Sequence, residues 1–238
     1  MIKILCIGNS FSQDATAKLE LLGSELSVRN LYIGDCSLER HAKNITNTDD
    51  TYAYERMGLC LKRITLMNAL KADKWDVITV QQVSYLAGVE DSYYPYLTEL
   101  LNAIKETNPE ATILFHQTWA YEIDSAHQHF ADFESNQTLM YNKIVEVTEK
   151  IAEREEIDII PSGRFIQQLR SLPLFDYAKG GKSLCRDGFH IDLGYGRYAL
   201  SLLWYFLFTG EISKTVPEGV SEEDAAEIRA ALANLAEM

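Results

Sequence analysis

The sequence predicts an α/β protein in three layers, a parallel β-sheet held between two layers of helices. Five short apolar runs alternate with stretches of helical spacing, and parallel neighbours need crossover connections of that length. Each run is apolar almost without interruption, the pattern of strands buried on both faces. No abrupt shift in composition divides the 238 residues, so one domain over 1–238 is expected.

The first run, Ile4-Leu5-Cys6-Ile7, breaks at Gly8 and delivers Asn9-Ser10 to its carboxyl end. Ala15, Leu19, Leu22 and Leu26 then recur at helical intervals, predicting an amphipathic helix over about 13–28. Residues 30–33 read as a second strand, ended by Gly34-Asp35-Cys36-Ser37, and the polar stretch 38–56 as a loop or hairpin over the sheet edge. A helical pattern over 59–70 precedes the third strand, Trp75 to Val80, which runs into Gln81-Gln82-Val83-Ser84.

Tyr93, Leu97, Leu100, Leu101 and Ile104 mark a helix over about 93–106, stopped by Asn108-Pro109. The fourth strand, 111–115, opens into His116-Gln117-Thr118-Trp119-Ala120-Tyr121 and a polar loop with His127 and His129. A long helix over about 136–154 leads to the fifth strand, 157–160, and a further helix is expected over 162–170. Past a Gly- and Lys-containing loop comes Arg186-Asp187-Gly188-Phe189-His190, then an apolar helix over about 195–208. Its most apolar run, 199–208, is about half the length of a membrane span and reads as core. Ser221-Glu222-Glu223-Asp224 has the pattern of a helix start, predicting a peripheral helix at about 221–237.

Composition narrows the partners. A formal net charge of −13 argues against nucleic acid or an anionic membrane surface, both of which call for a basic face. The four cysteines are scattered with no CxxC pair, as free thiols in a reducing compartment would be. The chain enters its first strand without a secretory segment, so a cytoplasmic location is expected. His127 and His129 with Asp124 and Asp132 read as a solvated loop rather than a metal site, and no metal or cofactor is expected.

In a parallel sheet every strand ends at the same edge, so Ser10, the Gly34–Ser37 turn, Gln81, Gln82, Trp119 and Tyr121 should share one rim. A serine hydroxyl needs a base beside it, and the base needs a group to fix its tautomer. His190 and Asp187 meet both needs, because Asp-x-x-His in a loop lets the carboxylate fold back to its own histidine's Nδ1. Donors for an oxyanion are expected from the backbone of Ser10, from the turn (Gly34, Cys36 or Ser37) and from a side-chain amide, Gln82 ahead of Gln81. Trp119 and Tyr121 offer flat faces for a sugar ring or acyl group, and His41 is placed near the site.

Ile7-Gly8-Asn9-Ser10, the glycine-containing turn after the second strand, the amide after the third and Asp187-Gly188-Phe189-His190 together resemble the SGNH (GDSL-like) esterase superfamily. The stretches 34–41, 75–84 and 118–121 look like an uncharacterised bacterial branch of it. The resemblance implies a flavodoxin-like sheet of order 2-1-3-4-5, with Ser10 as nucleophile, His190 as base and Asp187 as its partner. It departs from the superfamily at Asn9, where Asp is usual, and at Gln81-Gln82, where Gly-x-Asn-Asp is usual.

The expectation is a metal-independent serine esterase that removes a small acyl group, acetyl foremost, from a carbohydrate or similar alcohol. A thioesterase or lysophospholipase would use the same residues. A flavodoxin-like module binding phosphate at Asn9-Ser10-Phe11-Ser12-Gln13 is the reading from another class, and a family member that binds without catalysis is a further one. The oligomeric state is not encoded in any motif.

Overall fold

The computed structural model describes residues 1–236. Its sheet has seven strands, β1 (Ile2–Gly8), β2 (Leu26–Tyr32), β3 (Tyr52–Arg56), β4 (Leu59–Ile64), β5 (Val77–Val80), β6 (Thr112–His116) and β7 (Asp158–Ile160). Their order is β4-β3-β2-β1-β5-β6-β7. The five strands from β2 to β7 in that order are parallel and reproduce the expected 2-1-3-4-5 arrangement. Two antiparallel strands, β3 and β4, extend the sheet past β2, so it is mixed and seven-stranded rather than parallel and five-stranded.

The extension overturns the helix expected over 59–70. Met57 and Gly58 both take positive φ, 50° and 76°, and so form the tight two-residue link that suits a twisted hairpin. Leu59–Ile64 pairs with β3, and only Leu66–Leu70 is helical (α3), capped by the Thr65 hydroxyl. The helix expected over 13–28 is also shorter. Helix α1 covers Ser10–Thr16, a 3-10 turn follows at Leu19–Leu21, and Leu26 already belongs to β2. Leu22 and Leu26 do lie four apart, but Gly23-Ser24 breaks the helix between them, and Leu26 and Val28 are buried on one face of a strand.

Helix α2 (Leu38–Lys43), capped by the Ser37 hydroxyl, departs from the loop or hairpin expected over 38–56. The remaining helices follow the apolar spacing closely: α4 (Tyr96–Thr107), α5 (Gln137–Glu155), α6 (Ser162–Leu169), α7 (Tyr195–Thr209) and α8 (Glu222–Ala236). No helix among the described residues is long and apolar enough to cross a membrane.

Strand β1 shows why both faces are covered. Ile4 and Cys6 join one apolar cluster with α1, α6, α7 and α8, while Leu5 and Ile7 join another with α2, α3 and α4. The outer helix α8 is anchored to the first cluster by Ala225, Ile228, Ala231 and Leu232, so only part of it is a solvated face. Gly8 ends β1 at a tight spot. A Cβ there would lie 2.5 Å from Ser12 Oγ and 2.9 Å from Gln81 Oε1, leaving room for no other residue.

Candidate active site

Helix α1 starts at the carboxyl end of β1, and Ser10 is its first residue. Asn9 caps the helix by accepting the Phe11 N–H at 3.0 Å, which turns the Ser10 side chain out of the sheet. Ser10 Oγ lies 2.9 Å from His190 Nε2, and His190 Nδ1 lies 2.7 Å from Asp187 Oδ2. The other carboxylate oxygen, Oδ1, accepts the backbone N–H groups of Phe189 at 3.2 Å and His190 at 2.8 Å. Gly188, at φ 85°, makes this turn possible, and a Cβ there would also press on Ser125 at 2.9 Å.

These bonds set the electrostatics. Partial burial works against charge on Asp187, yet the bonds from the His190 ring and from the two amides hold its carboxyl below the usual range. An ionised Asp187 fixes the Nδ1–H tautomer of a neutral His190, which leaves the Nε2 lone pair facing the Ser10 hydroxyl.

The serine and histidine are 180 residues apart in sequence, and a buried carboxylate fastens their elements together. Asp14, one helical turn after Ser10 and fully buried, accepts Arg186 Nη1 at 2.9 Å, Arg197 Nε at 2.8 Å and Arg197 Nη2 at 2.6 Å. Arg186 also donates to the Ile191 carbonyl, and its N–H donates to the His190 carbonyl at 2.9 Å. The loop that carries His190 is therefore tied at Asp14 to the helix that carries Ser10.

A second buried line lies beneath the serine. Asn9 Nδ2 donates to the Cys36 carbonyl at 3.2 Å, Gln81 Nε2 donates to Asn9 Oδ1 at 2.7 Å, and Gln81 Oε1 meets His116 Nδ1 at 3.1 Å. Burial pushes the His116 imidazole down to about 3, so it is neutral and its Nδ1–H donates to Gln81.

Residues 3–235 match a family described as a domain of unknown function, DUF4886. The chain belongs to the DUF4886 family. A solved DUF4886 protein from Bacteroides uniformis is 39% identical, with 99% of this chain and 95% of that one aligned and a TM-score of 0.90. A candidate SGNH hydrolase from Slackia heliotrinireducens is 18% identical over 86% of this chain and 97% of its own, with a TM-score of 0.59. A candidate GDSL-like lipase from Parabacteroides merdae is 15% identical over 88% and 95%, also with a TM-score of 0.59. At those identities the likeness is one of fold, and this DUF4886 chain has the SGNH hydrolase fold. No curated protein matches it.

In this DUF4886 structure Ser10, Gly34 and His190 line one cleft of about 330 Å³ at the carboxyl edge of the sheet. The other expected site residues do not reach it. Gln82 is buried with its amide fully engaged, donating to Ser92 O and Oγ at 3.0 Å each and accepting from Leu38 N and Val83 N at 3.0 and 2.8 Å. It has no hydrogen left for an oxyanion. Gln81 is occupied with Asn9 and His116. Cys36 is fully buried and outside the cleft lining, with its thiol pushed up to about 12 by burial.

Trp119 and Tyr121 are fully buried instead of exposed at the rim. Trp119 stacks on Phe11 at 4.2 Å and donates to the Phe189 carbonyl at 2.8 Å, while the Tyr121 hydroxyl bonds Ser84 at 2.9 Å. They are the floor under the site, because the chain after β6 runs inward beneath the His190 loop. His41 is also buried, bonded to the Tyr52 hydroxyl at 2.9 Å, with burial and the nearby Arg40 charge holding its imidazole down to about 3.

The exposed walls come from Asp35 in the turn expected at the rim, from His127 and His129 of the loop read as solvated, and from Tyr32, Tyr85 and Gln128, which no spacing singled out. The two loop histidines thus face the cleft. The His129 ring stacks on Tyr85 at 4.3 Å and bonds Asp132 at 2.8 Å, and no metal-binding cluster forms among the described residues.

Proposed function

We propose that this DUF4886 protein is a serine esterase that hydrolyses small acyl esters, acetyl foremost, by way of an acyl-enzyme. The observation that carries the reading is the unbroken line of hydrogen bonds from Ser10 Oγ through the His190 ring to Asp187, at 2.9 and 2.7 Å. In this reading Ser10 Oγ attacks the ester carbonyl carbon and its proton passes to His190 Nε2. The tetrahedral intermediate collapses, and His190 returns that proton to the departing alcohol. Water, deprotonated by His190, then attacks the acyl-serine and releases the acid.

The developing oxyanion falls to backbone donors. Ser10 stands at the first position of α1, where its N–H has no acceptor within the helix, and the Gly34 turn lines the same cleft. The triad supplies nucleophile, base and orienting carboxylate, so the reaction calls for no metal. A carbohydrate hydroxyl is the proposed alcohol, because the cleft walls alternate aromatic rings, Tyr32 and Tyr85, with polar groups such as Gln128 and Asp35. The four free cysteines accord with a cytoplasmic location.

The purified protein is expected to hydrolyse p-nitrophenyl acetate faster than the butyrate or octanoate, undiminished by EDTA, and to be labelled at Ser10 by a fluorophosphonate. Ser10→Ala should remove both the hydrolysis and the label. A phosphate-binding serine would take no label, and equal rates from the Ser10→Ala protein would refute the mechanism.

A further inference from the structure

The cleft is uneven in charge. Among its described lining residues none is Lys or Arg, and three carry or share a titratable charge besides His190, namely Asp35, His127 and His129. His129 is paired with Asp132 at 2.8 Å. The triad's Asp187 is bonded to His190. Asp35 makes no side-chain hydrogen bond or ion pair among the described residues, and it stands exposed on the rim of the turn that also presents Gly34. Its backbone is in the left-handed region, φ 54°, which sets it as the outermost residue of the Gly34–Ser37 turn before Ser37 caps α2.

We propose that Asp35 is a specificity-determining residue that makes the cleft accept esters of neutral or cationic alcohols and reject anionic ones. The inference rests on the esterase reading of Ser10 and deepens it by naming the substrate class. An ester bearing a phosphate or carboxylate near the scissile bond would enter a cleft with no lining Lys or Arg to replace its water and one unpaired carboxylate to repel it. An acylated glycerol phosphate is such an ester, whereas an acylated sugar or amino alcohol is not. The same wall carries the Tyr32 and Tyr85 rings, whose faces attract cations.

The Asp35 carboxylate lines the same opening as Tyr85 and His127. Burial raises the Tyr85 hydroxyl, and Asp35 adds to the rise. Burial lowers His127, and Asp35 works against that lowering. Both residues stand on other loops, so the field of Asp35 spans the opening through which an alcohol must lie.

The test uses the whole protein and three acetate esters of one phenol scaffold, carrying a trimethylammonium, no charge or a carboxylate. Wild-type kcat/KM is expected to fall in that order, with the cationic ester ahead of the anionic one by at least tenfold at low salt and the gap shrinking as salt is raised. Asp35→Asn keeps a residue that tolerates positive φ and should bring the ratio close to one. Asp35→Lys should invert it. Equal rates on the three esters in the wild type, or an unchanged ratio in Asp35→Asn, would overturn the proposal. Fluorophosphonate labelling of Ser10 is read in parallel. A labelled protein with no charge preference fails this inference alone, while an unlabelled one fails the esterase reading.

Discussion

Asn9 occupies the position where the superfamily's usual aspartate would stand, and its bonds explain why an amide is there. Its Oδ1 accepts from Phe11 N and Gln81 Nε2, as a carboxylate also would, but its Nδ2 donates to the Cys36 carbonyl. A carboxylate would aim a second lone pair at that carbonyl in a buried site. Asn9→Asp, the change toward the superfamily sequence, is therefore expected to destabilise the protein by about 1–3 kcal/mol and to lower its melting temperature by several degrees. Thermal unfolding of the variant checks this, and a stability equal to wild type would show that the Cys36 bond contributes nothing. The same line of amides accounts for Gln81. Its job is to hold Asn9, which explains why an amide after the third parallel strand need not be an oxyanion donor.

At the scale of elements, the site depends on joining α1 to the loop after Cys185. Asp14 makes that joint, and its removal would leave Arg186 and Arg197 facing each other without a counter-charge. Taking one partner from a buried ionic cluster costs about 3–5 kcal/mol. Asp14→Ala is expected to lose stability on that order, and Asp14→Asn, which keeps the shape, less. Both variants should lose kcat on acetate esters with little change in KM, because the loop holding His190 loses its tie while the cleft walls stay in place. A kcat that survives in a folded Asp14→Asn protein would limit Asp14 to a structural part.

The added β3–β4 hairpin belongs to this scale too. It lengthens the sheet past β2 and supplies Tyr52, whose hydroxyl bonds Nδ1 of buried His41. The helical look of 59–70 in the sequence came from Leu59, Leu66 and Leu70 falling seven and four apart, and the Met57-Gly58 turn was the signal that outweighed it.

For the whole molecule the two buried histidines set a pH limit. In the folded chain His41 and His116 are held neutral down to about 3, whereas an unfolded chain protonates them near 6.5. Between those values the unfolded state binds more protons, so stability falls as pH falls through the window. Each histidine is expected to remove about 2 kcal/mol between pH 7 and pH 5. Denaturant titrations at the two pH values test this. The loss should be smaller in His116→Phe, and an equal loss in that variant would assign the acid sensitivity elsewhere.

The sequence by itself determined the layered α/β architecture and the parallel strand order, because burial on both faces writes uninterrupted apolar runs and long crossovers into any chain that adopts them. It also determined which residues meet at the serine. Asp187 and His190 are close in sequence, and a strand-to-helix turn brings Ser10 to the sheet edge where their loop arrives. Only the tertiary structure decided the surroundings of those three residues. Trp119 and Tyr121 have the composition of a binding wall and the burial of a floor, and Gln82 has a donor's chemistry with no free hydrogen. Tyr85, His127 and Asp35 come from separate loops whose approach depends on packing far from any of them. Local spacing records which face of an element is buried, but it does not record which exposed loops fold over the same opening.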